Sequence, residues 1–178
     1  MEPHVEPRYS AETIASRVDE VARKLDADFA GQSLVLVSIL KGSSVFLADL
    51  ARRMKNPVGC EYISVRRAEH PDQILQIDFS TRFAVSGRAV LLLKDVVNTG
   101  VIETYLTTHL REQGASSIEL AAIIDKESER TTDIVVEHPL FAASGGHFAG
   151  YGMEYHGKYA NLPYIGEVAG ARPTNPGQ

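Results

Sequence analysis

The stretch Lys94-Asp95-Val96-Val97-Asn98-Thr99-Gly100 carries the residue types best suited to chemistry in this chain. Val90-Leu91-Leu92-Leu93 leads into it, and an amphipathic pattern follows it. An apolar run, a short polar segment, a hydroxyl–glycine pair and an amphipathic pattern read as a buried strand, a tight loop and a helix. The N–H groups of Thr99 and Gly100 would open that helix, and a helix N-terminus is suited to holding a phosphate. The alternative is a helix start with no ligand. A second polar turn, Lys41-Gly42-Ser43-Ser44, follows the apolar run Leu34-Val35-Leu36-Val37-Ser38-Ile39-Leu40. Its two serine hydroxyls are suited to capping the next helix.

These loops need elements to hold them. Residues 1–9, with two prolines, read as an irregular arm. From Ser10, a candidate N-cap, Ile14, Val18, Val21, Ala22, Leu25 and Phe29 recur at helical spacing until Gly31. The run at 34–40 is short, branched and apolar, as a strand buried on both faces is. Phe46, Leu47, Leu50 and Met54 mark the inner face of the next helix, with Arg52, Arg53 and Lys55 at its C-terminal end. Residues 59–65 read as a strand, 66–73 as an exposed loop and 74–79 as an edge strand. The strand at 89–93 precedes a helix over 101–113, with Val101, Tyr105, Leu106 and Leu110 inward and Gly114 closing it. Residues 118–124 are a further apolar strand. Weaker strand candidates lie at 134–136 and 148–151. Strands alternating with helices imply a parallel sheet covered on both faces, with ligands beyond the C-terminal ends of its strands. That places the loops at 41–44 and 94–100 at one end of the sheet.

The bulk numbers narrow the class. The 178 residues are 44% hydrophobic, enough for one ordinary domain without staples. The formal net charge is −5, with 18 basic and 23 acidic residues, which argues against a dedicated nucleic-acid binder or a binder of anionic membranes. A single cysteine, Cys60, permits no internal disulfide, and its apolar neighbours suggest a buried structural thiol. No run is long and apolar enough for a transmembrane helix, and Met1-Glu2-Pro3-His4 does not look like a signal peptide. The cytoplasm is the expected location. No internal repeat or linker is visible. Residues 1–168 are expected to form one domain, and 169–178 a flexible tail.

Four segments, in order, resemble the hypoxanthine-guanine phosphoribosyltransferases, which are type I phosphoribosyltransferases. They are Leu40-Lys41-Gly42 with the helix after it, the stretch at 90–100, Asp125-Lys126-Glu127-Ser128-Glu129-Arg130, and Gly150-Tyr151-Gly152-Met153-Glu154-Tyr155 with Lys158-Tyr159-Ala160-Asn161-Leu162-Pro163-Tyr164-Ile165. The resemblance implies an α/β fold: a central, mainly parallel sheet flanked by helices, with a small hood formed by the terminal segments. It implies transfer of ribosyl 5-phosphate from phosphoribosyl pyrophosphate to a purine base, with magnesium bridging pyrophosphate and ribose oxygens. A homodimer or homotetramer is implied as well. Residue by residue, it puts Lys41, Gly42, Lys94, Asp95, Asn98, Thr99 and Gly100 on the phosphoribosyl pyrophosphate side. Lys126, His147 and Phe148 fall on the purine side, His147 either stacking on the base or serving as a core or rim residue. Asp95 and Asn98 occupy the catalytic positions, and Glu154, with Asp95 indirectly, the magnesium positions.

The same resemblance exposes departures. Lys94 stands where the family has Glu, and Asn98 where it has the Asp that manages the purine N7 proton. Asn can hydrogen-bond N7 but cannot exchange a proton with it as a carboxylate does. Ile102 stands in place of a hydroxyl residue, Arg67-Ala68 in place of a Ser-Tyr pair, and Ala160 in place of an arginine. Counted together, these add positive charge to the site, which favours an anionic nucleotide over a metal and a cationic transition state. Two readings follow: a divergent transferase, or a member weakened in catalysis that binds a nucleotide or phosphate as a sensor or regulatory partner.

Overall fold

The structure, a computed structural model, describes residues 4–67, 75–79 and 84–170. In chain order the elements are β1 (His4–Tyr9), α1 (Ala11–Asp28), β2 (Leu34–Leu40), α2 (Ser44–Arg53), β3 (Val58–Arg67), β4 (Leu75–Phe79), β5 (Ala89–Val97), α3 (Val101–Glu112), β6 (Ser117–Asp125), β7 (His138–Ala142), β8 (Phe148–Ala149) and β9 (Ile165–Ala169). A 3-10 turn, Glu127–Glu129, follows β6. The main sheet has the order β4-β3-β2-β5-β6-β7, parallel except for the antiparallel edge strand β4. A separate antiparallel sheet, β1-β9-β8, forms the hood.

Strand alternation builds two cores from one sheet. Leu34, Leu36, Leu91 and Leu93 face α1 and α2, while Val35, Val37, Val90 and Leu92 face α3. Strands covered on both faces are continuous apolar runs for this reason. Ser10 caps α1 as expected, its hydroxyl accepting from Thr13 N at 3.2 Å. Phe46, Leu47 and Leu50 are buried on α2, and Gly114 follows the end of α3 at φ +87°.

Several expectations are corrected. Residues 4–9 are not an irregular arm but β1, whose backbone finds a partner in β9, a strand that was not expected at all. Ser43 does not cap α2. Its buried hydroxyl donates back to Ile39 O at 2.7 Å and meets Ser38 Oγ at 2.8 Å, closing the turn from the strand side. β5 runs on through Val97, so the segment 94–97 is strand and the loop is only 98–100. Val101 and Tyr105 are each 47% exposed, and Glu103 and Thr107 take inner positions with Leu106 and Leu110. Residues 134–136 form no strand, and Val135 is exposed. Cys60 is exposed, not buried. Of the loop expected at 66–73, Arg66 and Arg67 belong to β3 and the rest lies outside the described residues; of the tail expected at 169–178, Ala169 ends β9 and 171–178 lie outside them. No helix among the described residues is long and apolar enough to cross a membrane.

Candidate active site

β2 and β5 are neighbours, but β2 leads to α2 on one face and β5 to α3 on the other. Open α/β sheets bind ligands at such a reversal. Here the 41–44 turn meets β5. A β-carbon on Gly42 would lie 2.8 Å from Asp95 Cβ and Cγ and collide outright with its Oδ2. Glycine is therefore what lets the turn close on the carboxylate. Asp95 Oδ1 accepts from Val96 N at 2.8 Å and from the Lys94 ammonium. Lys41 points outward, with its Nζ 3.9 Å from Glu154 Oε2, an exposed pair of small energetic weight.

The 98–100 loop is held from behind by the segment after β6. Arg130 Nε donates to Asn98 O at 2.9 Å, Thr131 N to Thr99 O at 3.0 Å, and Thr132 Oγ1 to Thr99 O at 3.2 Å. Gly100 has φ +80°, and a β-carbon there would lie 2.5 Å from Thr132 Oγ1 and 2.8 Å from Arg130 Cδ. The Asn98 and Thr99 side chains stay exposed at the mouth of α3. The first-turn N–H groups of a helix lack intrahelical acceptors, so this mouth can receive an anion.

Lys126 lies at the other end of the same frame. Its N–H donates to Val97 O at 3.0 Å, tying it to the strand that bears the anion loop. The side chain is buried, not exposed: Nζ donates to Gly146 O at 2.7 Å, pairs with Glu129 at 3.4 Å and lies 5.9 Å from the Phe148 ring centroid. An ammonium has three donors, so one N–H is left for a ligand. Phe148 belongs to the main core beneath it. His147 is half-buried, its ring tilted toward Tyr155 at 6.1 Å, and it lines a cavity of about 360 Å³ with Glu6, Gly146 and Glu167.

Tyr151, just after β8, fastens the hood segment to α2. It is buried with φ +50°, and its hydroxyl donates to Asp49 Oδ2 at 2.8 Å. Burial, and then the bond to Asp49, push the phenol well above its usual range, so it remains a donor. Next to it, a β-carbon on Gly152 would lie 2.9 Å from Gly42 O, so the hood rests directly on the 41–44 turn. Tyr151→Phe is expected to cost about 1.5–2 kcal/mol, the lower part of the range for a hydrogen bond to a charged group, because Arg52 and Arg53 remain to pair with Asp49. Urea denaturation followed by far-UV circular dichroism measures it, and an unchanged midpoint would show that the bond contributes nothing net.

The structure thus brings Gly42, Lys94 and Asp95 together, with Lys41 and Glu154 at their rim, and ties Asn98, Thr99 and Gly100 to Lys126 through the backbone. Ile102 packs against the α3 core. The Arg67 side chain and Ala68 lie outside what is described. Three contributors were missed in the sequence. Glu103 is an acid on the inner face of an amphipathic helix, and that placement was its signal. Arg130 ends the Lys126 motif but was given no role. Tyr151 carried no local signal, because its partner Asp49 is distant in sequence.

A mainly parallel sheet with a glycine-containing loop opening a helix at its reversal point, and an antiparallel hood beside it, defines the type I phosphoribosyltransferase class. The family described as phosphoribosyl transferase domain matches residues 9–142. The hypoxanthine-guanine phosphoribosyltransferase of Streptococcus agalactiae serotype V is 31% identical over 164 residues, 89% of each chain. The crystal structure of a hypoxanthine-guanine phosphoribosyltransferase from Bacillus anthracis superposes with a TM-score of 0.86 at 27% identity, covering 94% of this chain and 99% of that one. A hypoxanthine phosphoribosyltransferase from Staphylococcus aureus gives a TM-score of 0.84 at 28% identity, over 92% and 90% of the two chains. The chain belongs to the hypoxanthine-guanine phosphoribosyltransferase family.

Proposed function

We propose that this chain transfers ribosyl 5-phosphate from phosphoribosyl pyrophosphate to a 6-oxopurine. The observation that carries this reading is the rigid link between the two ends of the site: Lys126 N to Val97 O and Arg130 Nε to Asn98 O. It sets a fixed spacing between an anion loop and a buried ammonium, as a nucleotide with a phosphate at one end and a carbonyl base at the other requires. In this reading Thr99 and Gly100 hold the 5′-phosphate, and Asp95 takes a ribose hydroxyl. Lys41, Gly42 and Lys94 border the pyrophosphate. The free N–H of Lys126 meets the purine oxygen, Phe148 supports Lys126 from below, and His147 stands at the rim of the base. Asn98 hydrogen-bonds N7 without carrying its proton.

Magnesium, when bound, would neutralise the departing pyrophosphate. Glu154, 40% exposed at its side chain, is open to such an ion. Asp95 is a poor ligand for it, since the Lys94 ammonium already neutralises the carboxylate, whose Oδ1 also accepts from Val96 N–H. No three His, Cys, Asp or Glu side chains converge among the described residues. The ion would therefore rest chiefly on substrate oxygens and water, as magnesium commonly does. A cytoplasmic location and assembly into a dimer or tetramer belong to the same proposal, supported by family membership.

The reading as a binding module without chemistry is not favoured. Much of its argument was the positive charge of Lys94, and that charge is taken up inside the protein. The test is pyrophosphate release from phosphoribosyl pyrophosphate with hypoxanthine, guanine, xanthine and adenine in turn. Release with a 6-oxopurine is expected, and none with any base would overturn the proposal. Lys126→Met should lower kcat/KM for the 6-oxo bases about 10- to 100-fold, the worth of one charged hydrogen bond, and leave any adenine rate nearly unchanged.

A further inference from the structure

Lys94 continues the side of β5 that faces α3, since Val90 and Leu92 before it pack in that core, whereas Asp95 continues the side facing α1 and α2. The lysine therefore lies at the first turn of α3, and its ammonium reaches over the strand end to Asp95. That position is unfavourable for a free cation. The side chain is 18% exposed, and a helix N-terminus presents positive potential. Glu103, in that first turn and 4% exposed, offsets both costs. Burial alone would lower the Lys94 pKa, but Asp95 and then Glu103 reverse the sign and hold it up. Burial raises Glu103, with Lys94 the chief opposing influence, and Asp95 adds to the rise, which puts the two carboxylates in each other's field.

We propose that the Lys94 ammonium, paired with Asp95 and facing the buried Glu103 of α3, is a resident cation of the nucleotide site, occupying the position at the end of β5 to which these acids would otherwise draw a divalent ion. The inference rests on the proposed function for what the site binds, and on the geometry alone for which cation occupies it. Asp95 takes one of the ammonium's three donors, which leaves donors for a ribose or phosphate oxygen. In consequence Asp95 is committed to an internal partner, and divalent ions enter this site only with a ligand that carries them.

The test is Mn2+ titration of the free protein, with unbound ion read by electron paramagnetic resonance. Lys94→Gln is expected to bind Mn2+ at least about tenfold more tightly than the unaltered chain, a change of about 1.4 kcal/mol. Adding Glu103→Gln is expected to abolish the gain. Equal binding in Lys94→Gln and the unaltered chain, or a gain that survives Glu103→Gln, overturns the proposal. Should Lys94→Gln fail to fold by circular dichroism, Asp95→Asn decides. Unchanged Mn2+ binding supports a carboxylate already occupied by lysine, and a tenfold loss overturns it. No substrate is present in this measurement, so absence of pyrophosphate release would defeat the proposed activity and leave the resident cation standing.

Discussion

Asn98→Asp raises kcat for purine phosphoribosyl transfer about 100-fold: this is the largest gain expected of any single substitution here. A positioned general acid–base group is typically worth about 10²–10⁴ in rate. Asn and Asp have the same shape, and the backbone at 98 is fixed by Arg130 Nε on its carbonyl, so the new carboxylate should occupy the place of the amide. The amide can only hydrogen-bond N7, whereas the carboxylate can also exchange its proton. Placing a negative charge at the mouth of α3, the proposed phosphate site, works in the opposite direction. Weaker nucleotide affinity, by about 1 kcal/mol in a solvated site, should accompany the faster turnover. Steady-state pyrophosphate release across pH gives both quantities. The aspartate variant should also gain an acidic limb in its pH–rate profile that the unaltered chain lacks. If turnover does not rise, proton handling at N7 does not limit this protein and the significance given to Asn98 is misplaced.

Gly100→Val should produce the largest loss. A residue other than glycine at φ +80° costs about 1–2 kcal/mol, and β-branching adds to that. The new side chain would also enter space held by Ile134, Thr132 and Arg130. Arg130 cannot yield cheaply. Its side chain is 9% exposed and is held by the Asp125 carboxylate, by Asn98 O and by Ile134 O, the last at 2.9 Å. Disturbing a buried pair on one side costs about 3–5 kcal/mol. The expected sum, about 4 kcal/mol or more, would appear as a large fall in the urea midpoint. Whatever remains folded should no longer bind a purine nucleoside 5′-monophosphate in calorimetry. A variant with unchanged midpoint and affinity would show that the left-handed turn and its cover are dispensable.

The features legible in the sequence were those with a short physical range. The runs at 34–40 and 90–93 could only be strands covered on both sides, and Ser10, Gly31 and Gly114 marked the ends of helices. The resemblance also placed the loops in the right order along the sheet. The features that were missed depended on partners far along the chain. Residues 4–9 look irregular until β9 supplies their hydrogen bonds. Ser43 looks like a cap until Ser38 is seen beneath it. Lys94 reads as added positive charge because the buried acid facing it, Glu103, sits nine positions later in a helix whose inward face reads as Val101, Tyr105, Leu106 and Leu110, and of these only the two leucines are buried. With Asp95 paired to its ammonium, Lys94 adds less positive charge to the site than its residue type alone implies.

The hood joins the two ends of the chain, with His4 opposite Ala169 and Val5 opposite Val168. This pairing fixes an order of assembly during synthesis. The anion loop, its cover at 130–134 and the parallel strands through β7 are all encoded before the hood's last strand emerges from the ribosome. β1 must wait until β9 has been made before its partner exists, and long-range pairings of this kind form late. A nascent chain can therefore build the 98–100 loop and its cover while the proposed purine end still lacks a roof.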